Sequence, residues 1–467
     1  MSDAVIAHLA AQRDTILERL KTLIRIPSVS TDPAFAPHMQ AAREFLLNRL
    51  KEAGFADAQL LEGDGQPAVY ASWMGAPGKP TLVVYGHYDV QPPDPLALWH
   101  SPPFEPAIRD GKLYGRGASD VKGSTVIAVE TLAAFLAVTG GCPVNVRVFL
   151  EGEEECGSPG LRSIVTRHRE KLQADALLSA DGGRASTSVP TVGVGSRGIA
   201  ALEMTLRTAP KDGHSGRYGG AVRNALREMA ALLASLHDDQ GRIQVAGFGS
   251  DAQPITNTMR AAAAALPFDE AQWYADFGGL PWGDPTDSVA VRLTLRPTIE
   301  INGMWGGYTG AGTKTVLPAE AHAKITMRLA PGMDPAAAQA RLRAHLRAHV
   351  APGVRLELSE DQGGSPASTL DEGHPMLRAA LAVLEREHGQ AAYPARAGGT
   401  LPVTAIFAEM LGMPAMKFGL AMPDEDVHAP NEFFRLSSFD EGLRTWPRLL
   451  SALGALSAEE FRRIDRG

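Results

Sequence analysis

The chain has 467 residues, of which 44% are hydrophobic and 21% charged, and a formal net charge of -8. That length exceeds a comfortable single core, so two domains are the default, and the composition is that of an ordinary globular protein. The acidic balance, with no run of Lys and Arg long enough for a basic stripe, argues against nucleic acid and anionic membranes as partners.

The opening MSDAVIAHLAAQRDTILERL carries charges throughout and lacks a basic start followed by an apolar run. It reads as an amphipathic helix rather than a signal peptide. Leu9, Ile16, Leu20 and Leu23 share one face, and the helix stops before Pro27. A second helix over 39–53 ends at Gly54, the residue type favoured just past a helix C-terminus. The short apolar runs TLVVYG (81–86), VNVRVFL (144–150) and ALLSA (176–180) read as buried strands, and 121–138 has helical periodicity. This alternation predicts a sheet with parallel strands and helices on both faces. No stretch is expected to reach the roughly 20 apolar residues of a membrane span. Cys142 and Cys156 are too few for a disulfide scaffold and fit a reducing cytoplasm.

Near residue 207 the rhythm changes. Strand 199–208 gives way to the Gly-rich turn DGHSGRYGG (212–220), a helix over 221–236 and a long irregular stretch over 240–295. Strands 298–302 and 321–330 follow, then a helix opened by Asp334 as N-cap and Pro335, and strand 354–360. This βαββαβ order predicts two helices on one face of an antiparallel sheet. From about 370 the first rhythm resumes, with helix 374–389, strand 413–420 and a terminal helix over 437–455. The expected organisation is an α/β catalytic domain over 1–206 and 370–467, its mixed sheet flanked by helices, interrupted by an inserted α+β domain over 207–369.

Ligands of open α/β sheets bind beyond the carboxyl ends of the strands. His87 and Asp89 follow strand 81–86, Glu151 and Glu153 to Glu155 follow strand 144–150, and Asp181 follows strand 176–180. Asp120 opens the helix between GRGAS and VKGS. Singly, each has a bland reading: Asp120 as a helix N-cap, the glutamates as a solvated loop. Together they repel, and without a cation they would be driven toward protonation. A pair of divalent ions resolves that conflict, and mixed imidazole and carboxylate donors suit Zn²⁺, Mn²⁺ or Co²⁺ better than Ca²⁺ or Mg²⁺.

The segments GHYDVQP (86–92), GRGASDVKG (115–123), EGEEECGS (151–158), SADGG (179–183) and VHAPNE (427–432) resemble, in order, the M20 metallopeptidases, and most of all their cytosolic nonspecific dipeptidase and carnosinase branch. The resemblance implies the phosphorylase/hydrolase-like catalytic fold of that family and an inserted lid and dimerisation domain. It also implies a cytoplasmic homodimer and two divalent ions, zinc with manganese or cobalt as alternatives. Asp120 would bridge them, with His87 and Asp181 on one ion and Glu155 and His428 on the other. Asp89 would orient the His87 imidazole. Glu154 would be the general base that takes a proton from the attacking water and passes it to the leaving amine. Glu153 would be a bystander, and Cys156 a small filler. The peptide after Asp120 is expected to be cis.

In the inserted domain the resemblance makes His214 the group that stabilises the oxyanion, reaching the other subunit's site. Thr315 and Arg328 would contact the substrate, the Arg fork suiting a free α-carboxylate. Thr400, in AGGTLPVT (397–404), stands where these dipeptidases usually carry Ser. His345 and His349 have zinc-pair spacing but no intervening glutamate and several neighbouring arginines, which favours a solvated basic helix face. His100, near Trp99, is expected to pack or to line the cleft mouth rather than bind metal. The leading expectation is hydrolysis of dipeptides or short peptides with a free C-terminus. An N-acyl amino acid deacylase or a carboxypeptidase is the alternative. A catalytically silent binding module is disfavoured because every expected ligand and the base are present.

Overall fold

The computed structural model describes residues 2–360 and 364–464. The apolar run at 81–86 forms strand Thr81–His87, with a parallel neighbour on each side: Asn145–Glu151 and Ala176–Ser179. Both faces of these strands are covered, which is why their sequences are continuously apolar rather than alternating. The nine-stranded sheet extends outward on one side through Ala68–Trp73 to Gln59–Leu61, both antiparallel. On the other side it continues through Ala415–Lys417 to Thr191–Ser196, which pairs with Ser368–Thr369 and with Tyr393–Ala397. The sheet is therefore mixed.

Helices Gly123–Thr139, Pro375–His388 and Leu436–Ala455 cover one face with the N-terminal helices, through Val126, Leu132, Leu384, Phe439 and Trp446. Helices Leu161–Arg167 and Pro402–Leu411 cover the other through Ile164, Val403 and Phe407. Contrary to the sequence expectation, the stretch Ala118–Thr139 is long and apolar enough to cross a bilayer, but 83% of its apolar window is buried in the fold. It is a core helix, apolar all round because it is surrounded by protein.

The second sheet is antiparallel, ordered Thr298–Gly306, Glu320–Leu329, Gly198–Arg207, Arg355–Leu358, with Gly364–Ser365 also on Gly198–Arg207. Helices Ala225–Ala234 and Pro335–His349 pack on it through Met229, Leu232, Leu342 and Leu346. Asp334 caps the second of these by accepting from the amide of Ala337. The chain passes from the first sheet to the second between Ser196 and Gly198, so the strand before residue 207 already belongs to the antiparallel sheet.

Two local expectations fail. The helix predicted over 221–236 starts only at Ala225, where the Asn224 side chain accepts from the amides of Leu226 and Arg227. The stretch read as irregular holds helices Asn257–Ala265, Glu270–Phe277 and Val289–Leu295, capped by Thr256, Asp269 and Ser288. They are short, and breakers such as Pro267 and Gly278 between them hide the helical period.

Candidate metal centre

Parallel strands bring their C-terminal ends to one edge, and His87 stands in register with Glu151 there. Asp181 lies two residues past the end of Ala176–Ser179. Asp120 arrives differently. It sits in a tight turn between Gly117, which takes a left-handed conformation, and the helix that begins at Gly123; its backbone is non-helical and the Asp120–Val121 peptide is cis. The helix N-cap position falls on Lys122, so Asp120 is not a cap.

The turn is held by Glu432, which is fully buried. One of its oxygens accepts from the amides of Ser119 at 2.9 Å and Asp120 at 3.0 Å. The other accepts from the Gly117 amide at 3.0 Å and from Arg116 at 2.6 Å. The sequence reading named His428 in VHAPNE and passed over this glutamate. The signal was a carboxylate directly before the apolar strand Phe433–Arg435, where burial would demand partners.

His87, Asp120 and Asp181 form one group of potential ligand atoms lying within 4.8 Å of one another, and Asp120, Glu155 and His428 form a second. Asp120 is common to both and turns a different oxygen to each. Oδ1 is 3.3 Å from His87 Nε2, and Oδ2 is 2.9 Å from His428 Nε2. His87 Nε2 is 3.8 Å from Asp181, and His428 Nε2 is 3.1 Å from Glu155. Asp89 is buried, with one oxygen 3.3 Å from His87 Nδ1 and the other accepting from the Glu155 amide at 3.0 Å. It therefore steadies both groups. Gln91 donates to the Glu155 carboxylate at 3.0 Å.

The acidic run divides by direction. Glu153 turns away and accepts from the Gly160 amide at 3.0 Å. Burial, and then the charges of Asp181, Glu155 and Asp120, push the Glu154 carboxyl up to about 9. Burial and the Asp120 carboxylate raise Asp181 to about 6. Against the cost of burial, the hydrogen bond from His428 and the neighbouring His87 imidazole draw Asp120 downward. His428, bonded to Asp120 and Glu155, is raised to about 10. His87 Nε2 is buried without a hydrogen-bond partner although it faces two carboxylates. This donor set fits divalent cations: positive charge at these two points would relieve the carboxylates and satisfy the orphaned imidazole nitrogen. Cys156 is exposed, its thiol 3.4 Å from the Glu153 carbonyl, and it belongs to neither group.

The other expected site residues fall into two pairs. Arg328 donates to the Thr400 hydroxyl at 3.1 Å, which donates to the Arg197 carbonyl at 2.6 Å. His214 and Thr315 are exposed neighbours: Gly213–His214 pairs with Val316–Leu317, and the Ser215 amide donates to the Thr315 carbonyl at 3.0 Å. His214 Nδ1 accepts from the Gly216 amide. His345 is buried rather than solvated, bonded to Ser235 at 2.9 Å and stacked on His349; the inward face of that helix carries it against the antiparallel sheet's core. The His100 amide donates to Asn431 at 2.8 Å, beside the loop that carries His428.

Comparisons with known proteins place the chain among metal-dependent peptide hydrolases. Over 467 aligned residues the chain is 27% identical to the Cys-Gly metallodipeptidase dug1 of Schizosaccharomyces pombe, covering 96% of this chain and 97% of that protein. It is 27% identical to the human Beta-Ala-His dipeptidase, covering 95% and 90%. Its fold matches the M20 family metallo-carboxypeptidase Sso-CP2 of Sulfolobus solfataricus with a TM-score of 0.84 at 27% identity, covering 94% of this chain and 99% of that one. The model of "Peptidase family M20/M25/M40" matches residues 83–452, most of the chain and every residue of the two ligand groups. This chain belongs to that family and is a metal-dependent peptide hydrolase.

Proposed function

We propose that this protein hydrolyses dipeptides and other short peptides with a free C-terminus, using two divalent ions, zinc or else manganese or cobalt. The observation that carries the reading is the pair of ligand groups sharing Asp120, whose carboxylates also act on the buried Glu154. The dipeptidase names of the relatives at 27% identity support the substrate class.

His87, Asp120 and Asp181 would hold one ion, and Asp120, Glu155 and His428 the other; bound there, such ions would supply Lewis-acid polarisation of the scissile carbonyl and a lowered pKa for water. Asp89 orients the His87 imidazole. Glu154 takes the proton from the attacking water and delivers it to the leaving nitrogen. Arg328, unpaired with any carboxylate among the described residues, grips the peptide's terminal carboxylate beside Thr400, and Thr315 contacts the substrate from beside His214. The inserted domain acts as lid and dimerisation unit, and His214 stabilises the oxyanion in the partner subunit's site. Its exposure supports that role, and the two free cysteines support a cytoplasmic setting.

A panel of dipeptides, their C-terminal amides, longer peptides and N-acetyl amino acids tests the reading. Free dipeptides turn over and amides do not; equal turnover of both would sink the carboxylate grip of Arg328. The fold match to a metallo-carboxypeptidase favours one alternative, and preference for longer peptides would select it. Glu154→Gln is expected to lose roughly 10²–10⁴-fold in kcat while keeping its metal content.

A further inference from the structure

Helices Asn257–Ala265 and Val289–Leu295 pack over strand Tyr393–Ala397. Beneath them lies a cavity of about 200 Å³ with an apolar lining that includes Met259, Leu266, Phe268, Leu293 and Pro394. Two charged side chains reach its wall, Arg396 and Glu372. Their nearest atoms are 4.0 Å apart, at the outer limit of an ion pair. Arg396 is only 10% exposed, and a single hydrogen bond, to the Thr369 hydroxyl at 2.9 Å, holds its guanidinium in place. The one lining hydroxyl among the helix residues, on Thr294, is already bonded to the Ala290 carbonyl. No metal-ligand candidate lines the cavity, nor do Arg328 or Thr400.

An apolar chamber with one loosely paired cation and one anion at its wall is complementary to a zwitterion carrying an apolar group. A simple carboxylate would bring its charge beside Glu372, and a simple amine would face Arg396; each leaves one wall charge opposed. An apolar cavity of about 150 Å³ is enough to bind benzene, so this one accommodates a branched or aromatic side chain. We propose that the cavity binds a free apolar α-amino acid, its carboxylate on Arg396, its ammonium on Glu372 and its side chain between the two helices and the strand.

The site is coupled to the substrate loop by the chain itself. Tyr393–Ala397 runs directly into Gly398, Gly399 and Thr400, and a Cβ on Gly398 would lie 2.9 Å from the Leu293 carbonyl. An occupant that shifts the Val289–Leu295 helix therefore shifts the backbone that presents Thr400 to Arg328. Free amino acids are products of the hydrolysis proposed above; a product-sensing role rests on that reading, whereas the binding does not.

The test is calorimetric titration of the metal-loaded full chain with L-leucine, in an Arg328→Gln background that removes the proposed carboxylate grip of the active site. Saturable leucine binding is expected to persist there. It should weaken at least about tenfold on adding Arg396→Gln or Glu372→Gln, the loss of one charged hydrogen bond. Leucinamide and 4-methylpentanoate, each lacking one charge, should bind correspondingly weaker than leucine. Ala263→Leu, which fills the chamber without touching either charge, should abolish binding while the melting temperature shows the protein folded. Absence of leucine binding in the Arg328→Gln chain overturns the proposal, as does binding that neither Arg396→Gln nor Ala263→Leu alters. The dipeptidase reading fails separately, in the substrate panel.

Discussion

Glu432 carries no chemistry of its own, yet three backbone amides of the Asp120 turn and the Arg116 guanidinium all converge on its carboxylate. Arg116 is 1% exposed, so removing the carboxylate strands a buried cation as well as the turn. Glu432→Gln is therefore expected to cost about 3 kcal/mol, read by urea denaturation, and to shed metal on dialysis, since losing one partner of a buried pair is far costlier than the pair is worth. Unchanged stability and metal content would show that the turn holds itself. His87, Asp181 and the glutamates of 153–155 stood out in sequence because imidazoles and carboxylates follow strand ends there, whereas Asp120 reads as opening a helix and His428 was named by resemblance alone. Glu432 did not stand out, because its partners are backbone groups more than three hundred positions away in the chain.

Helices are tied to one another by charge as well as by apolar burial. Glu130, on Gly123–Thr139, accepts from Arg49 at 2.6 and 2.8 Å and from Arg19 at 2.8 Å, joining three helices at one carboxylate. Its side chain is 5% exposed, while the two arginines are 15% and 32% exposed, so solvent recovers part of their charge. Glu130→Ala should lower unfolding free energy by about 2 kcal/mol, less than for a wholly buried pair. A double-mutant cycle with Arg49→Ala that returned no coupling would refute the link. At Asn224 the start of a helix is set by one side chain accepting from two amides. Asn224→Ala should cost about 1 kcal/mol in the same assay. The sequence reading placed this helix start too early because 221–224 carry no apolar period against which to judge it, and the cap itself decides the boundary.

At the scale of the whole molecule, ion binding and folding are linked through the same protons. In the metal-free protein His428 is raised from 6.5 to about 10 by its hydrogen bonds to Asp120 and Glu155. Its stabilisation is therefore complete below 6.5 and is lost as pH rises through 10. Glu154, raised from 4.5 to about 9 by burial, slopes the same way: across that interval the folded chain holds a proton that the unfolded chain releases. Metal binding has the opposite slope, because ligands must shed protons to coordinate. The difference in melting temperature between metal-loaded and EDTA-treated protein should thus widen from pH 6.5 to 9, and a narrowing gap would contradict the ligand assignment.

The sequence by itself determined the α/β alternation and the imidazoles and carboxylates that follow the strands, because hydrophobic period and strand-end position are local properties that survive without knowledge of the fold. Tertiary structure decided what depends on distant partners. It set Asp120 in a non-helical turn shared by two ligand groups, turned Glu153 away from its neighbours, and buried His345 on a helix that reads as solvated. It also closed the short helices of 240–295 over an apolar chamber. The Asp120 turn, the burial of His345 and the closing of the chamber are each fixed by contacts between residues far apart in the chain, and no local pattern encodes that proximity.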